Sequence, residues 1–251
     1  MWKKLSIKVL ILLGLSGQSI SVTAQDDVDT TFNIAAASMY YPHQFEPGKF
    51  TIEVAMSQII LPFDWLETAV QAPLFQFHAN LGLPKGFALD GRFSSILVSN
   101  QISLGPRWRY RHPGGNLSLG VGHDIAYTFG YLSQFGFASS AHSWINYPNL
   151  SVGWRRKDTA FTLKGEAVIV TAVTTKQGEN EIASDKNFWN GWTVGLYIEQ
   201  PLHFSTTKKK ATMIVIGVKD SYMKYHFMAW PAFSNFNRFY HMPEFYLGFI
   251  L

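Results

Sequence analysis

Apolar and polar residues alternate along most of the chain after residue 49. The clearest run extends from Asn116 to Phe129, where large apolar residues occupy one parity and Ser, Gly, Asp, Ala and Thr occupy the other. Successive side chains of a β-strand point to opposite faces, so this run predicts a strand with one apolar face and one polar or small face.

The same alternation predicts about ten strands between residues 50 and 251, although eight or twelve remain possible alternatives. The predicted strands are 50–61, 68–83, 87–98, 101–111, 116–129, 144–154, 159–172, 192–204, 211–219 and 244–251. Short polar turns alternate with longer connections, of which 130–143, 173–191 and 220–243 are the longest. Short periplasmic turns opposite long extracellular loops are typical of an antiparallel, up-and-down transmembrane β-barrel. The chain thus resembles bacterial outer-membrane β-barrel proteins as a general class, with no narrower family indicated.

The N-terminus predicts export from the cytoplasm. Lys3, Lys4 and Lys8 flank a short apolar run, and Val22-Thr23-Ala24 offers a small-residue cleavage site. We therefore predict a signal peptide at residues 1–24 and a periplasmic N-terminal extension at residues 25–49. Losing the three lysines lowers the net charge from +4 to +1, so the basic balance does not indicate a nucleic-acid partner.

Composition also favours a membrane barrel over a soluble domain. Charged residues make up 15% of the chain and aromatic residues 16%, whereas soluble domains carry about 25% charged residues. No run after residue 24 has the roughly 18 apolar residues that a spanning helix needs. Since a membrane span must satisfy its own backbone hydrogen bonds, a closed barrel is the remaining solution.

The last predicted strand carries a second signal. Phe245, Leu247, Phe249 and Leu251 share one face. This strand resembles the C-terminal signal that outer-membrane proteins present to their assembly machinery, although that signal usually ends in Phe or Trp. We predict location in the bacterial cell outer membrane, with outer-membrane lipids and the assembly machinery as partners and a small solute or a protein as a further partner.

The face opposite the apolar one predicts the lining of the lumen. It carries five acids and five bases, a balance that favours an ionic network filling the interior over an ion-selective pore lined by one sign of charge. A solute path and a catalytic site remain alternatives for the same residues. The predicted network is Glu53, Asp90, Arg92, Arg107, Arg109, Arg111, Asp124, Lys164, Glu166 and Glu199.

Two enzyme classes are alternatives to a non-enzymatic barrel. Omptin-like proteases need an acid pair and an Asp–His pair near the outer rim, and the candidate residues there are Asp124, Asp185, Asp220, His142, His226 and His241. Lipid A deacylase-like barrels need a His-x-Ser pair on one strand. His203 and Ser205 have this spacing but lie at the predicted periplasmic end, and Ser140 and His142 have the reversed order. No motif assigns catalytic residues, a metal site or a cofactor.

The last long connection is unusually aromatic. A loop so rich in rings is costly to hydrate, so it is expected to fold over the outer mouth as a lid. The predicted lid residues are Trp230, Phe233, Phe236, Phe239 and Tyr240. We therefore predict a non-enzymatic outer-membrane barrel, either a narrow solute channel or a lumen-filled barrel with a structural or partner-binding role. A barrel-embedded hydrolase acting on lipid A or peptides is the alternative.

Overall fold

The described residues form a closed β-barrel of ten antiparallel strands. A computed structural model of the chain describes residues 38–66, 71–112, 116–134, 137–202, 212–228 and 237–251. Each strand pairs with its neighbours in sequence, and β1 pairs with β10 to close the barrel. The strands are β1 (Phe50–Ile60), β2 (Gln71–Gly82), β3 (Phe87–Ser95), β4 (Ser99–Arg111), β5 (Leu117–Gln134), β6 (Phe137–Arg156), β7 (Thr159–Gln177), β8 (Asn180–Leu202), β9 (Thr212–Met223) and β10 (Tyr240–Ile250).

Helical structure in the described residues is confined to short segments. The α-helix α1 (Phe63–Leu66) follows β1, and a 3₁₀ turn (Pro84–Gly86) joins β2 to β3. None of the helices described is long and apolar enough to cross a membrane. The predicted signal peptide lies outside the described residues and stays a prediction.

The barrel is apolar outside and polar or small inside. In β1, Phe50, Ile52, Val54 and Met56 are exposed, whereas the alternate positions from Thr51 to Ser57 are buried. Exposed aromatic rings gather near both ends of the wall, with Trp108, Tyr110 and Trp154 at one end and Phe129, Trp144 and Trp192 at the other. A closed barrel with an apolar band and aromatic girdles is the form in which strands cross the outer membrane. The protein is an outer-membrane β-barrel.

Three strand pairs extend much further than the alternation predicts. The predicted loops 130–143 and 173–191 are largely strand, because β5 runs to Gln134, β6 begins at Phe137, and β7 and β8 reach their turn at residues 178–179. The connection 220–243 also shortens, since β9 runs to Met223 and β10 begins at Tyr240. Strands that project beyond the bilayer meet water on the outside, so their outer positions need not be apolar and the alternation is lost. Residues 180–187 illustrate this, as most of their side chains are exposed.

Candidate functional site: the lumen

The chain segment before β1 lies inside the barrel. Residues 38–43 and Phe45 are buried, and Tyr40 contacts inward-facing rings on β2, β8 and β10. We call residues 38–45 the plug. The prediction placed residues 25–49 in the periplasm as an extension. Residues 25–37 lie outside the described residues, and their location stays a prediction. Residues 38–45 lie in the lumen and not in the periplasm, because their tyrosine rings pack there against other side chains, which water could not replace.

Glu199 anchors the plug through its backbone. The carboxylate of Glu199 on β8 is fully buried and accepts hydrogen bonds from three successive backbone N–H groups. Its Oε1 lies 2.6 Å from Met39 N and 3.0 Å from Tyr40 N, and its Oε2 lies 2.7 Å from Tyr41 N. Glu199 was predicted to join an ionic network, but it binds the plug instead of a basic side chain.

Aromatic stacking holds the plug from the side. The ring of Tyr40 stacks on Tyr197 with centroids 3.9 Å apart, and it meets His78 and Tyr246 edge-on at 5.6 and 5.8 Å. Tyr41 accepts a hydrogen bond at its hydroxyl from Ser118 Oγ at 2.8 Å. Offset and edge-to-face ring pairs each add about 0.5–1.5 kcal/mol beyond the area they bury. The plug is therefore fixed on several sides of the lumen.

The inner wall leaves room for the plug at glycine positions. A Cβ at Gly153 on β6 would lie 2.6 Å from atoms of both Tyr41 and Pro42. A Cβ at Gly120 on β5 would lie 2.9 Å from Pro42. Any larger residue at these places would collide with the plug. The wall and the plug thus have complementary shapes.

A chain of buried ionic contacts crosses five neighbouring strands. His78 lies 3.3 Å from Glu53 and 2.7 Å from Asp90, and Arg107 lies 2.7 Å from Asp90 and 3.1 Å from Asp124. All five side chains are at least nine-tenths buried. Breaking one such pair leaves a buried charge without its partner, which costs about 3–5 kcal/mol. The chain therefore couples β1 to β5 through side chains as well as through the backbone ladder.

Two further ion pairs lie on β7 and between β9 and β10. Lys164 contacts Glu166 on β7 at 2.5 Å, and Lys219 on β9 contacts Glu244 on β10. Glu244 also accepts a hydrogen bond from Gln76 Nε2 at 3.0 Å. His78, Lys219 and Glu244 were missing from the predicted network. Residue parity could have found them, because each lies on the inward parity of its strand.

The remaining predicted network residues have other environments. The guanidinium of Arg109 lies 4.3 Å over the ring of Phe45, at the end of the plug nearest the β2–β3 turn. Arg111 is exposed at the end of β4. Arg92 is partly buried and lines a cavity farther along the lumen. The structure thus links Glu53, Asp90, Arg107 and Asp124 through His78 and pairs Lys164 with Glu166. Among the described residues, the other four form no ion pair.

A small polar cavity lies in the lumen. Its volume is about 50 Å³, and since one water needs roughly 10–15 Å³ of such space, it can hold a few waters. Its walls carry charged, hydroxyl and amide side chains from both halves of the barrel. Those used below are Arg92, Gln101, Asp124, Tyr147, Glu166 and Lys219.

Residues 225–228, here called the cap, cover the outer side of this cavity. Tyr225, Phe227 and Met228 pack in an apolar cluster with inward residues of several strands. Asn190 on β8 binds both backbone groups of Tyr225, each at 2.8 Å. Ser99 on β4 donates to the carbonyl of Phe227 at 2.6 Å. The cap therefore reaches from β9 to the far wall.

His226 is buried within the cap. Burial, aided by the nearby charge of Lys219 and opposed by Glu244, lowers the pKa of His226 from 6.5 to about 4. Its Nδ1 accepts a hydrogen bond from the backbone N–H of Met228 at 3.3 Å, which requires an unprotonated Nδ1. The closed cap thus favours the neutral imidazole.

The predicted lid residues fall only partly within the described chain. Trp230, Phe233 and Phe236 lie outside the described residues, and the lid prediction for them stays a prediction. Phe239 stacks on the outward-facing Tyr222 with centroids 5.1 Å apart, and Tyr240 begins β10. These two rings lie at the rim, whereas the cap covers the lumen.

The enzyme candidates do not assemble into a catalytic arrangement among the described residues. Asp220 and His241 form a pair at 2.8 Å, but both are on the lipid-facing parity of their strands. Within the described ranges His142 has no carboxylate at ion-pair distance, and Ser205 falls outside them. No cluster of three or more His, Asp or Glu that could hold a metal occurs in the part of the chain described.

Comparison with known proteins finds similarity of barrel form. No family model matches the chain, and no curated protein matches it. Solved structures similar to it include Neisserial surface protein A (11% identity, TM-score 0.34, 80% of this chain and 96% of that one). The translocator domain of the autotransporter NalP from Neisseria meningitidis is similar at 8% identity and TM-score 0.43, over 82% of this chain and 88% of that one. The Escherichia coli outer-membrane protease OmpT is similar at 9% identity and TM-score 0.38, over 80% and 92%. The outer-membrane assignment made above rests on the apolar exterior of the barrel.

Proposed function

We propose that this protein is a non-enzymatic outer-membrane channel for small solutes that the plug and the cap hold closed. The observation that carries the proposal is the binding of three plug N–H groups by Glu199, which secures a chain segment across the lumen. Outer-membrane lipids surround the barrel, and the assembly machinery inserts it. A barrel filled permanently, with a structural or partner-binding role, is the alternative that the experiment below separates.

The construction of the plug supports an opening channel over a permanently filled barrel. The described plug residues belong to none of the ten strands of the barrel, and side chains of the wall such as Glu199 and Tyr197 hold them. The plug can therefore leave without breaking a backbone hydrogen bond between strands. Beyond it lies a polar cavity, which the apolar cluster of the cap covers on its outer side. A polar interior is the lining that a water-filled path requires.

Single-channel recording in planar bilayers tests the proposal. The full-length protein is expected to be silent most of the time. Glu199→Ala removes the acceptor of three hydrogen bonds and should produce frequent conducting events. Glu181→Ala, on an exposed position of the same strand, is the matched control and should stay as silent as the parent.

Folding of each variant is checked by heat-modifiable gel mobility. If folded Glu199→Ala is as silent as the parent, the lumen is permanently filled and the channel proposal fails. Conductance that appears equally in Glu181→Ala would show that the plug is not the gate.

A further inference from the structure

Among the described residues, Arg92 is the charged strand residue of the cavity without an ion-pair partner. Its Nε is buried without a hydrogen bond, and among the described residues no carboxylate lies within ion-pair distance of its guanidinium. The other charged strand residues of the cavity are paired. Asp124 binds Arg107, Glu166 binds Lys164 and Lys219 binds Glu244.

A second donor faces the same space. The hydroxyl oxygen of Tyr147 accepts a hydrogen bond from Gln101 Nε2 at 2.9 Å, which leaves the hydroxyl hydrogen free to donate. Both Tyr147 and Arg92 line the cavity. A guanidinium offers up to five N–H donors and no acceptor, so the group that completes its hydrogen bonds must be an acceptor, and a negatively charged one binds best.

The geometry points to a binding site for a small monovalent anion, with Arg92 as the binding group and the Tyr147 hydroxyl as a second donor. The cavity of about 50 Å³ limits the ligand to the size of a halide or a very small carboxylate. The buried ionic chain limits its charge, because in the described part of the chain its three carboxylates have two basic partners at ion-pair distance, Arg107 and His78. A ligand with two negative charges would meet repulsion from that chain.

The site extends the proposed function by naming the solute class. Arg109 and Arg111 follow on β4 toward the short-turn end, on the same inward parity as Arg107. Among the described residues neither forms an ion pair with a carboxylate. Displacement of the plug would uncover Arg109, which now lies over Phe45. Unpaired guanidinium groups would then line the way from the cavity to the periplasmic end.

Crystals of the full-length protein grown with bromide test the site independently of the channel. An anomalous peak is expected within hydrogen-bonding distance of the Arg92 guanidinium. Arg92→Lys should keep the peak and Arg92→Gln should lose it. Arg111→Gln removes the same charge at an exposed position of the neighbouring strand and should keep it. A parent protein without bromide at Arg92, or a peak that persists in Arg92→Gln, overturns the site.

Ion selectivity tests the link to transport. Gly153→Val opens the lumen without changing its charge, because the new side chain collides with the plug. Its reversal potential in a potassium chloride gradient should indicate preference for chloride. Adding Arg92→Gln should lower that preference about fivefold, the factor that corresponds to about 1 kcal/mol for one close charge in water. Bromide binding combined with a silent Gly153→Val would refute the channel and leave the site standing. Preference for potassium would refute the solute class.

Discussion

Arg107 is the central member of the buried ionic chain, and its removal should be the most costly single change in the lumen. The substitution Arg107→Gln deletes the only ion-pair partner of Asp124 among the described residues and one of two partners of Asp90. Both carboxylates are almost fully buried. Removing one side of a buried pair costs about 3–5 kcal/mol. We expect the free energy of unfolding to fall by at least that amount.

Arg109→Gln is the matched control. Arg109 lies two residues further along the same face, and the contact of its guanidinium in the described structure is the ring of Phe45. A cation–π contact contributes about 0.5–2 kcal/mol, so this variant should lose less than about 2 kcal/mol. Equilibrium urea unfolding of the barrels in lipid vesicles, followed by tryptophan fluorescence, measures both variants. Equal losses of free energy for the two substitutions would refute the reasoning, because removing the ion-paired Arg107 would then cost no more than removing Arg109.

Two further predictions concern the cap and the topology. The closed cap lowers the pKa of His226 from 6.5 to about 4, so the open cap binds the proton more tightly than the closed cap does. The free energy that favours the closed cap should therefore decrease as pH falls from about 6.5 toward 4, by up to about 3 kcal/mol. Amide exchange of residues 225–228 at pH 7.5 and 4.5 measures this, and equal protection at both values would contradict it. A cysteine at Gly178 should react with an impermeant reagent on intact cells, and one at Lys157 only after the outer membrane is breached. The reverse result would invert the barrel.

Side-chain parity carries most of the information that the sequence holds about this barrel. It correctly predicts the class of fold, and it places Glu53, Asp90, Arg107 and Asp124 on the buried inward face. Parity alone cannot assign partners, because contacts across a barrel depend on strand register. The neighbouring strands β3, β4 and β5 bring the last three residues into contact through a register that the sequence does not state.

The sequence could not reveal the plug or the extent of the outer hairpins. The plug lies in a segment without alternation, and its contact with Glu199 spans about 160 residues. One signal was present, since Tyr40-Tyr41 forms an aromatic pair in a segment predicted to be hydrated. The outer hairpins were predicted as loops because strands beyond the bilayer need no apolar exterior. Apolar and polar positions of a barrel strand alternate only where its outer face meets the bilayer, so the alternation ends where the strand enters water.

The position of Tyr40 also bears on the order in which the barrel forms. The ladder between β1 and β10 runs only from Glu53 to Ile59, whereas the one between β1 and β2 runs from Phe50 to Ile60. This short seam joins the two ends of the folded sheet, and Tyr40 touches rings on both sides of it, at β2 and at β10. The plug can enter the lumen most easily before β1 pairs with β10, because the barrel is still open along that seam. The plug would then act as a template on which the sheet curls until its edges meet, so that the same residues that obstruct the finished barrel hasten its closure.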